Sequence, residues 1–268
     1  MKIFISADIE GSTTTTTWDE TNDQKSAYAL HAKQMTNEVL ACIEGAQRAG
    51  AVTFTVRDAH AWGNNIDPTK MPHFVTLLRG WSGHPYSMAD GVDKMQTAAM
   101  FIGYHSAAGK EGNPLAHTMT SSKFHTIKLN GELASEFMLY SYAAALEGVP
   151  TVFLSGDNAL CRDSLSLHPK LITCPVKDAV GRMTINYSTK DTIEDIIDLA
   201  EKALSQDLSD ALVELPRNFH LEIDYKTTGF AEKASWFPGV KKTGATTVEF
   251  ETETYFEVLR AVSWLSMV

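Results

Sequence analysis

The stretch MKIFISADIEG, residues 1–11, is the one on which the fold turns. Lys2 to Ile9 reads as a β-strand, and Gly11 behind it lets the chain turn sharply. Asp8 and Glu10 alternate at the strand's carboxyl end, so the two-residue period of a strand puts both carboxylates on one side. Further on, Lys25 to Arg48 predicts a long amphipathic helix closed by Gly50, with Leu30, Val39, Leu40, Ile43 and Ala46 as apolar positions. Val52 to Val56 predicts a second strand, and short β-rich runs recur at Phe74–Leu78, Ala99–Ile102, Thr126–Leu129 and Thr151–Leu154. Such alternation predicts an α/β fold: a mostly parallel sheet flanked by helices, Rossmann-like in plan.

Leu133 to Leu146 is helical by composition, and Thr192 to Leu204 carries a 3.6-residue apolar rhythm in Ile193, Ile196, Ile197, Ala200 and Leu204. Polar residues and Pro216 follow, which sets a boundary near Asp207. Residues 1–207 then form an N-terminal α/β domain carrying the site. Residues 208–268 form a smaller C-terminal α/β domain, read as strand 219–225, helix 230–235, strand 246–250 and helix 255–265. Thr13 to Thr17 is a threonine tract that reads equally as a plain hydroxyl-rich loop or as a loop touching substrate.

Of the 268 residues, 44% are hydrophobic and 21% charged, which is the composition of a globular protein and excludes disorder, collagen and coiled coil. A net charge of −10 repels phosphate backbones and anionic lipid, so neither nucleic acid nor a membrane surface is an expected partner. Asp8 and Glu10 cut the first apolar run short of a signal-peptide core, and no run reaches the roughly 20 residues that span a bilayer. The three cysteines, Cys42, Cys161 and Cys174, are odd in number and widely spaced, which fits a reduced cytoplasmic location.

In an open parallel sheet, ligands bind at the carboxyl ends of the strands. Asp8-Ile9-Glu10-Gly11, Asp58-Ala59-His60 and Gly103-Tyr104-His105 each stand at such an end. Each alone reads as readily as a turn acid or a structural histidine. Together, carboxylates and imidazoles on one sheet edge suggest a divalent metal of the zinc type. Lys241-Lys242-Thr243-Gly244 has a P-loop flavour but lacks the upstream glycine and spacing, which excludes nucleotide binding there.

These fragments, taken in order with His117-Thr118-Met119, Asn130-Gly131 and the following Glu136, Ser155-Gly156-Asp157, and Lys242 to Val248, resemble the M55 peptidase family. These are the D-aminopeptidases also called dipeptide transport proteins, and the resemblance runs from residue 2 to about residue 265. It implies a co-catalytic pair of zinc ions per chain, with Asp8, Glu10, His60, His105 and Glu136 as ligands and His117 as the catalytic histidine. It selects Glu136 over Glu132 by its place ahead of Pro150; Glu132 then reads as an acid near the start of the same helix, favoured by the helix dipole. Asp58 reads as an orienting acid for His60 or as an ordinary turn acid. The implied activity is hydrolysis of the N-terminal residue from short peptides or amino-acid amides, in a ring-like homo-oligomer. Alternatives are a di-metal amidohydrolase acting on a non-peptide amide, and a dipeptide-binding protein without turnover.

Overall fold

In the computed structural model, which describes residues 1–268, β1 (Lys2–Ala7) is an interior strand of a seven-stranded sheet. Every residue after Lys2 in it is buried, as a parallel strand covered on both faces requires. The chain builds outward on one side through β2 (Thr53–Asp58) and β3 (Val75–Leu78). It then crosses back to β4 (Ala98–Tyr104) on the other side of β1, and continues through β7 (Thr151–Asp157), β8 (Ile172–Val180) and β9 (Met183–Asn186). All these pairings are parallel except β8 with β9. The strand order reverses between β1 and β4, and a crevice forms at that switch point because the flanking loops leave in opposite directions.

One face is covered by α1 (Tyr28–Arg48) and α4 (Thr189–Ser205), packed together. In α1 the buried stripe is Met35, Val39, Cys42, Ile43 and Ala46, whereas Leu30 is exposed. Each fully buried large aliphatic side chain on such a stripe contributes roughly 1.5–3 kcal/mol. The other face carries α2 (Glu136–Leu146) against β4 and β7. Helix α6 (Tyr255–Leu265) joins α2 to the second sheet, and the short α3 (Asn158–Ser164) follows β7 directly.

That second sheet is antiparallel, in the order β11 (Lys241–Lys242), β12 (Thr247–Thr252), β10 (Phe219–Tyr225), β5 (Phe124–Leu129), β6 (Glu132–Leu133). The run 126–129, read from sequence beside the parallel strands, therefore belongs elsewhere. Its pattern explains why: Phe124, Ile127 and Leu129 are buried while His125 is exposed, the half-covered face of an antiparallel strand. A division near Asp207 leaves β5 and β6 on one side and β10, the partner of β5, on the other, so the second sheet draws on both segments. After Asp207 the elements are β10, α5 (Thr228–Ala234), β11, β12 and α6. The helix expected from Leu133 begins three residues later, at Glu136, with Ser135 capping it by accepting from the Met138 N–H.

Candidate metal centre

The crevice between β1 and β4 is closed at its floor by two glycines. A Cβ on Gly11 would stand 1.7 Å from the Tyr104 carbonyl oxygen, and one on Gly103 (φ +70°) 2.3 Å from that of Asp8. Only glycine at both positions lets the segments after β1 and β4 touch, and the contact is sealed by the Gly11 N–H donating to the Gly103 carbonyl at 2.8 Å. Asp8 and Glu10 are thereby brought opposite His105. His60 arrives just past β2, and Glu136 is the first residue of α2, where the helix dipole favours an anion.

The five residues converge, all at or below 9% exposure. His60 Nδ1 lies 3.0 Å from Glu10 Oε2 and 3.4 Å from Asp8 Oδ1; His105 Nε2 lies 3.2 Å from Glu136 Oε2 and 3.4 Å from Asp8 Oδ2. His117 joins them: its ring stacks on that of His105 at 4.4 Å, and its Nε2 is 3.6 Å from Glu136 Oε1. The ring is thus already seated among the acids. Glu136 Oε1 also accepts from the Met119 N–H at 2.7 Å.

Each imidazole donates its other nitrogen to a backbone carbonyl: His60 Nε2 to Thr21 at 2.9 Å, His105 Nδ1 to Ser106 at 3.0 Å, His117 Nδ1 to Leu115 at 2.9 Å. A carbonyl only accepts, so that nitrogen holds the proton and the nitrogen facing the acids is left to ligate. Burial pushes Asp8 up to about 8, helped by the Glu10 charge. Burial opposes charge on His60 and His105, but the facing carboxylates outweigh it, holding His60 well above the ordinary range and His105 at about 10. Glu10, despite the same burial, is held low by the His60 charge. The cluster thus demands positive charge among its acids, supplied by protons in the metal-free protein.

A divalent cation fits that demand. Asp8 Oδ2, Glu10 Oε2 and His105 Nε2 are buried and near only the opposing acids and imidazoles, with no well-aligned hydrogen bond, which is costly unless something else binds them. Two sets of ligand atoms cluster tightly, one from Asp8, Glu10 and His60, the other from His105, His117 and Glu136. The mixture of carboxylate oxygen and imidazole nitrogen suits zinc.

Around the ligands runs a frame with little sequence signature. Lys177 on β8 is fully buried and donates to the carbonyls of Glu10 (2.6 Å), Ser12 (3.0 Å) and Thr15 (2.5 Å). Asn113 donates to the same Glu10 carbonyl and to Asp157, whose carboxylate also takes the Ser106 N–H and hydroxyl beside His105. The threonine tract is held by this frame: Thr13 N–H donates to buried Glu38, and Thr15 bonds His31. None of the tract lines the cavity; the next residue, Trp18, does. Asp58 does not touch the His60 ring. It accepts from Asn65 and the Ile66 N–H, and Asn65 in turn holds the His60 carbonyl, so Asp58 orders the loop and not the imidazole. Glu132 is exposed in β6, outside the helix that was expected to hold it, so the dipole reading of that acid fails.

A cavity of about 580 Å³ opens onto Asp8, Glu10, His60, His117 and Glu136. Ala61 (φ +47°) and Met119 (φ +64°) on its wall are non-glycine residues in the left-handed region, strain of the kind that gathers where side chains must be aimed.

Three comparisons bear on this centre. The model of the peptidase M55 family, described as D-aminopeptidase, matches residues 1–264. A D-aminopeptidase of Bacillus subtilis (strain 168) is 29% identical over 266 residues, 98% of this chain and 95% of the relative. The solved structure of the Zn-dependent D-aminopeptidase DppA from Bacillus subtilis, described as a self-compartmentalizing protease, has a TM-score of 0.92 at 26% identity, covering 100% of this chain and 97% of that one.

Proposed function

The chain belongs to the M55 D-aminopeptidase family of peptidases, and on that premise we propose that it removes the N-terminal residue of short D-amino-acid peptides or amides with a pair of zinc ions. What carries the reading is the set of buried ligand atoms without a well-aligned hydrogen bond on Asp8, Glu10 and His105 at the sheet's switch point. Glu10 and His60 would hold one ion, His105 and Glu136 the other. Asp8, whose Oδ1 faces His60 and Oδ2 faces His105, would help to hold them. When bound, such a pair supplies Lewis acidity toward the scissile carbonyl and acidifies water.

The chain's own residues do the rest. The carbonyls of Thr21 and Ser106 fix the rings of His60 and His105 and keep a nitrogen of each turned to the acids. His117 moves the proton. Burial and the neighbouring His105 hold it below the ordinary histidine range, so near neutral pH its Nε2 is open while Nδ1–H stays on Leu115. That nitrogen can take a proton and return it to the departing amine. The solved relative's self-compartmentalizing character supports a ring-like homo-oligomer here, which would admit only short substrates. The cysteines, all free and buried, suit a reducing compartment, and no helix is long and apolar enough to cross a membrane.

The test is hydrolysis of D- and L-aminoacyl amides and dipeptides by zinc-loaded protein, with metal counted by elemental analysis. The reading expects about two zinc ions per chain and activity that a chelator abolishes. Full activity in metal-free protein overturns it.

A further inference from the structure

Three of the chain's five tryptophans stand on the wall of the cavity that holds the metal ligands: Trp18, Trp62 and Trp81, at 44%, 72% and 40% exposure. Exposed indoles cost free energy in water, and their gathering at one mouth calls for an occupant. They are not equivalent. Trp18 meets the His117 ring edge-on at 5.4 Å and so borders the proton-moving side. Trp62 and Trp81 lie on the His60 side, joined through Ala61: the Trp81 indole N–H donates to the Ala61 carbonyl at 2.7 Å, and the left-handed turn at Ala61 sends the chain on to Trp62.

Trp81 is also braced from behind. The buried Arg57 guanidinium lies 4.2 Å from the centre of its ring, and Arg57 Nε and Nη2 have no other partner. A cation on one face of an indole fixes its plane and leaves the opposite face for something apolar. Trp62 makes no such contact and keeps nearly three quarters of its surface free to close on a guest. Met88 adds apolar surface to the same cavity.

We propose that Trp62 and Trp81 form a side-chain subsite for the substrate's N-terminal residue, selecting large apolar and above all aromatic side chains over small ones. The inference rests on the aminopeptidase reading and adds the substrate class. Trp62 and Trp81 are two walls of the cavity that also opens onto the metal ligands, and an alanine methyl group has too little surface to cover either ring, so small substrates leave both indoles wet. An aromatic side chain instead buries its own surface and theirs, with the offset or edge-on ring geometry that indoles favour.

The experiment compares D-phenylalaninamide with D-alaninamide, on the zinc-loaded full chain and on Trp62→Ala and Trp62→Phe. The expected result is a kcat/KM ratio favouring phenylalaninamide at least ~10-fold, lost in Trp62→Ala and largely kept in Trp62→Phe. Tryptophan fluorescence titrated with the same two amides gives a readout independent of turnover: phenylalaninamide shifts the emission at lower concentration than alaninamide, and the difference shrinks in Trp62→Ala. If the parent protein cleaves neither amide yet binds phenylalaninamide preferentially, the peptidase reading fails while the subsite stands. An unchanged ratio in Trp62→Ala, or preferential binding of alaninamide, overturns the proposal. So does a Trp62→Ala chain that changes its oligomeric state by light scattering but not its preference, which would make Trp62 a contact between copies.

Discussion

Replacing Lys177 by methionine keeps the side chain's length and removes its charge, and the structure gives the sizes of the opposing effects. Three carbonyls lose a charge-assisted donor, yet Glu10 O keeps Asn113 and Ser12 O keeps the Thr15 N–H, so Thr15 O alone is stripped. One orphaned buried carbonyl costs about 1–3 kcal/mol. Against this, burial pushes the Lys177 ammonium from 10.5 down to about 8, which corresponds to roughly 3.4 kcal/mol of penalty that methionine does not carry. The two nearly cancel. Global stability should therefore move by no more than about 2 kcal/mol in either direction, while residues 10–15, which position the Glu10 carboxylate, lose their tether. Zinc affinity should fall about 10–100-fold, as when the partners of a ligand are removed. The sign with pH follows from the same shift. The folded pKa lies below the unfolded one, so between pH 8 and 10.5 the unfolded chain binds more protons, and the parent protein gains stability relative to Lys177→Met across that window. Urea melts at pH 7 and 9.5, with zinc affinity measured by competition with a chromogenic chelator, test all three. Unchanged zinc affinity in a variant destabilised by much more than ~2 kcal/mol would show Lys177 to be a core residue with no part in placing Glu10.

Glu136→Gln should lose zinc affinity or turnover at least about tenfold, since Glu136 faces both His105 and His117, while exposed Glu132→Gln should stay within about 0.5 kcal/mol of the parent in stability and leave zinc untouched; zinc loss in the second variant reverses the assignment. His117→Ala should lower kcat roughly 10²–10⁴-fold with metal retained, whereas His60→Ala should lower metal content. Stoichiometric zinc loss in His117→Ala would instead make it a ligand beside His105 and Glu136. Zinc binding should weaken as pH falls from 8 to 6: His60, His105 and Asp8 are all held above their ordinary ranges, keep protons there, and must release them to ligate, between about two and three per chain. Calorimetry in buffers of different ionisation enthalpy counts those protons, and a pH-independent affinity without release contradicts the ligand set.

The parallel sheet was legible because its strands are short apolar runs, and the convergence of Asp8, His60 and His105 on one sheet edge was legible because each follows such a run at its carboxyl end. Strand β8 was not, since Pro175 and Lys177 interrupt the run Ile172–Val180. The structure accepts the lysine only because three loop carbonyls surround it, a tertiary arrangement with no local signal. Leu30 passed as core because helical spacing alone does not say which turn overhangs the sheet. The helix reading that paired Glu132 with Glu136 failed because a two-residue strand, too short to show a period, occupies 132–133. Trp62 and Trp81, nineteen positions apart (81 − 62), carry nothing in sequence to mark them as neighbours; the Ala61 carbonyl joins them.

The detour between His105 and Glu136 has a consequence for how this molecule is assembled in time. After His105 the chain leaves the parallel sheet and lays β5 against β10, whose sequence lies some ninety residues further on (219 − 129), before returning with Glu136. Strand β5, which leads toward Glu136, therefore finds its partner only when residues 219–225 have docked. Pairings of such long sequence separation close slowly, because loop entropy must be lost before any contact rewards it. A nascent chain can pair β1 with β2 well before β5 finds β10, so the segment leading to Glu136 is framed late in assembly.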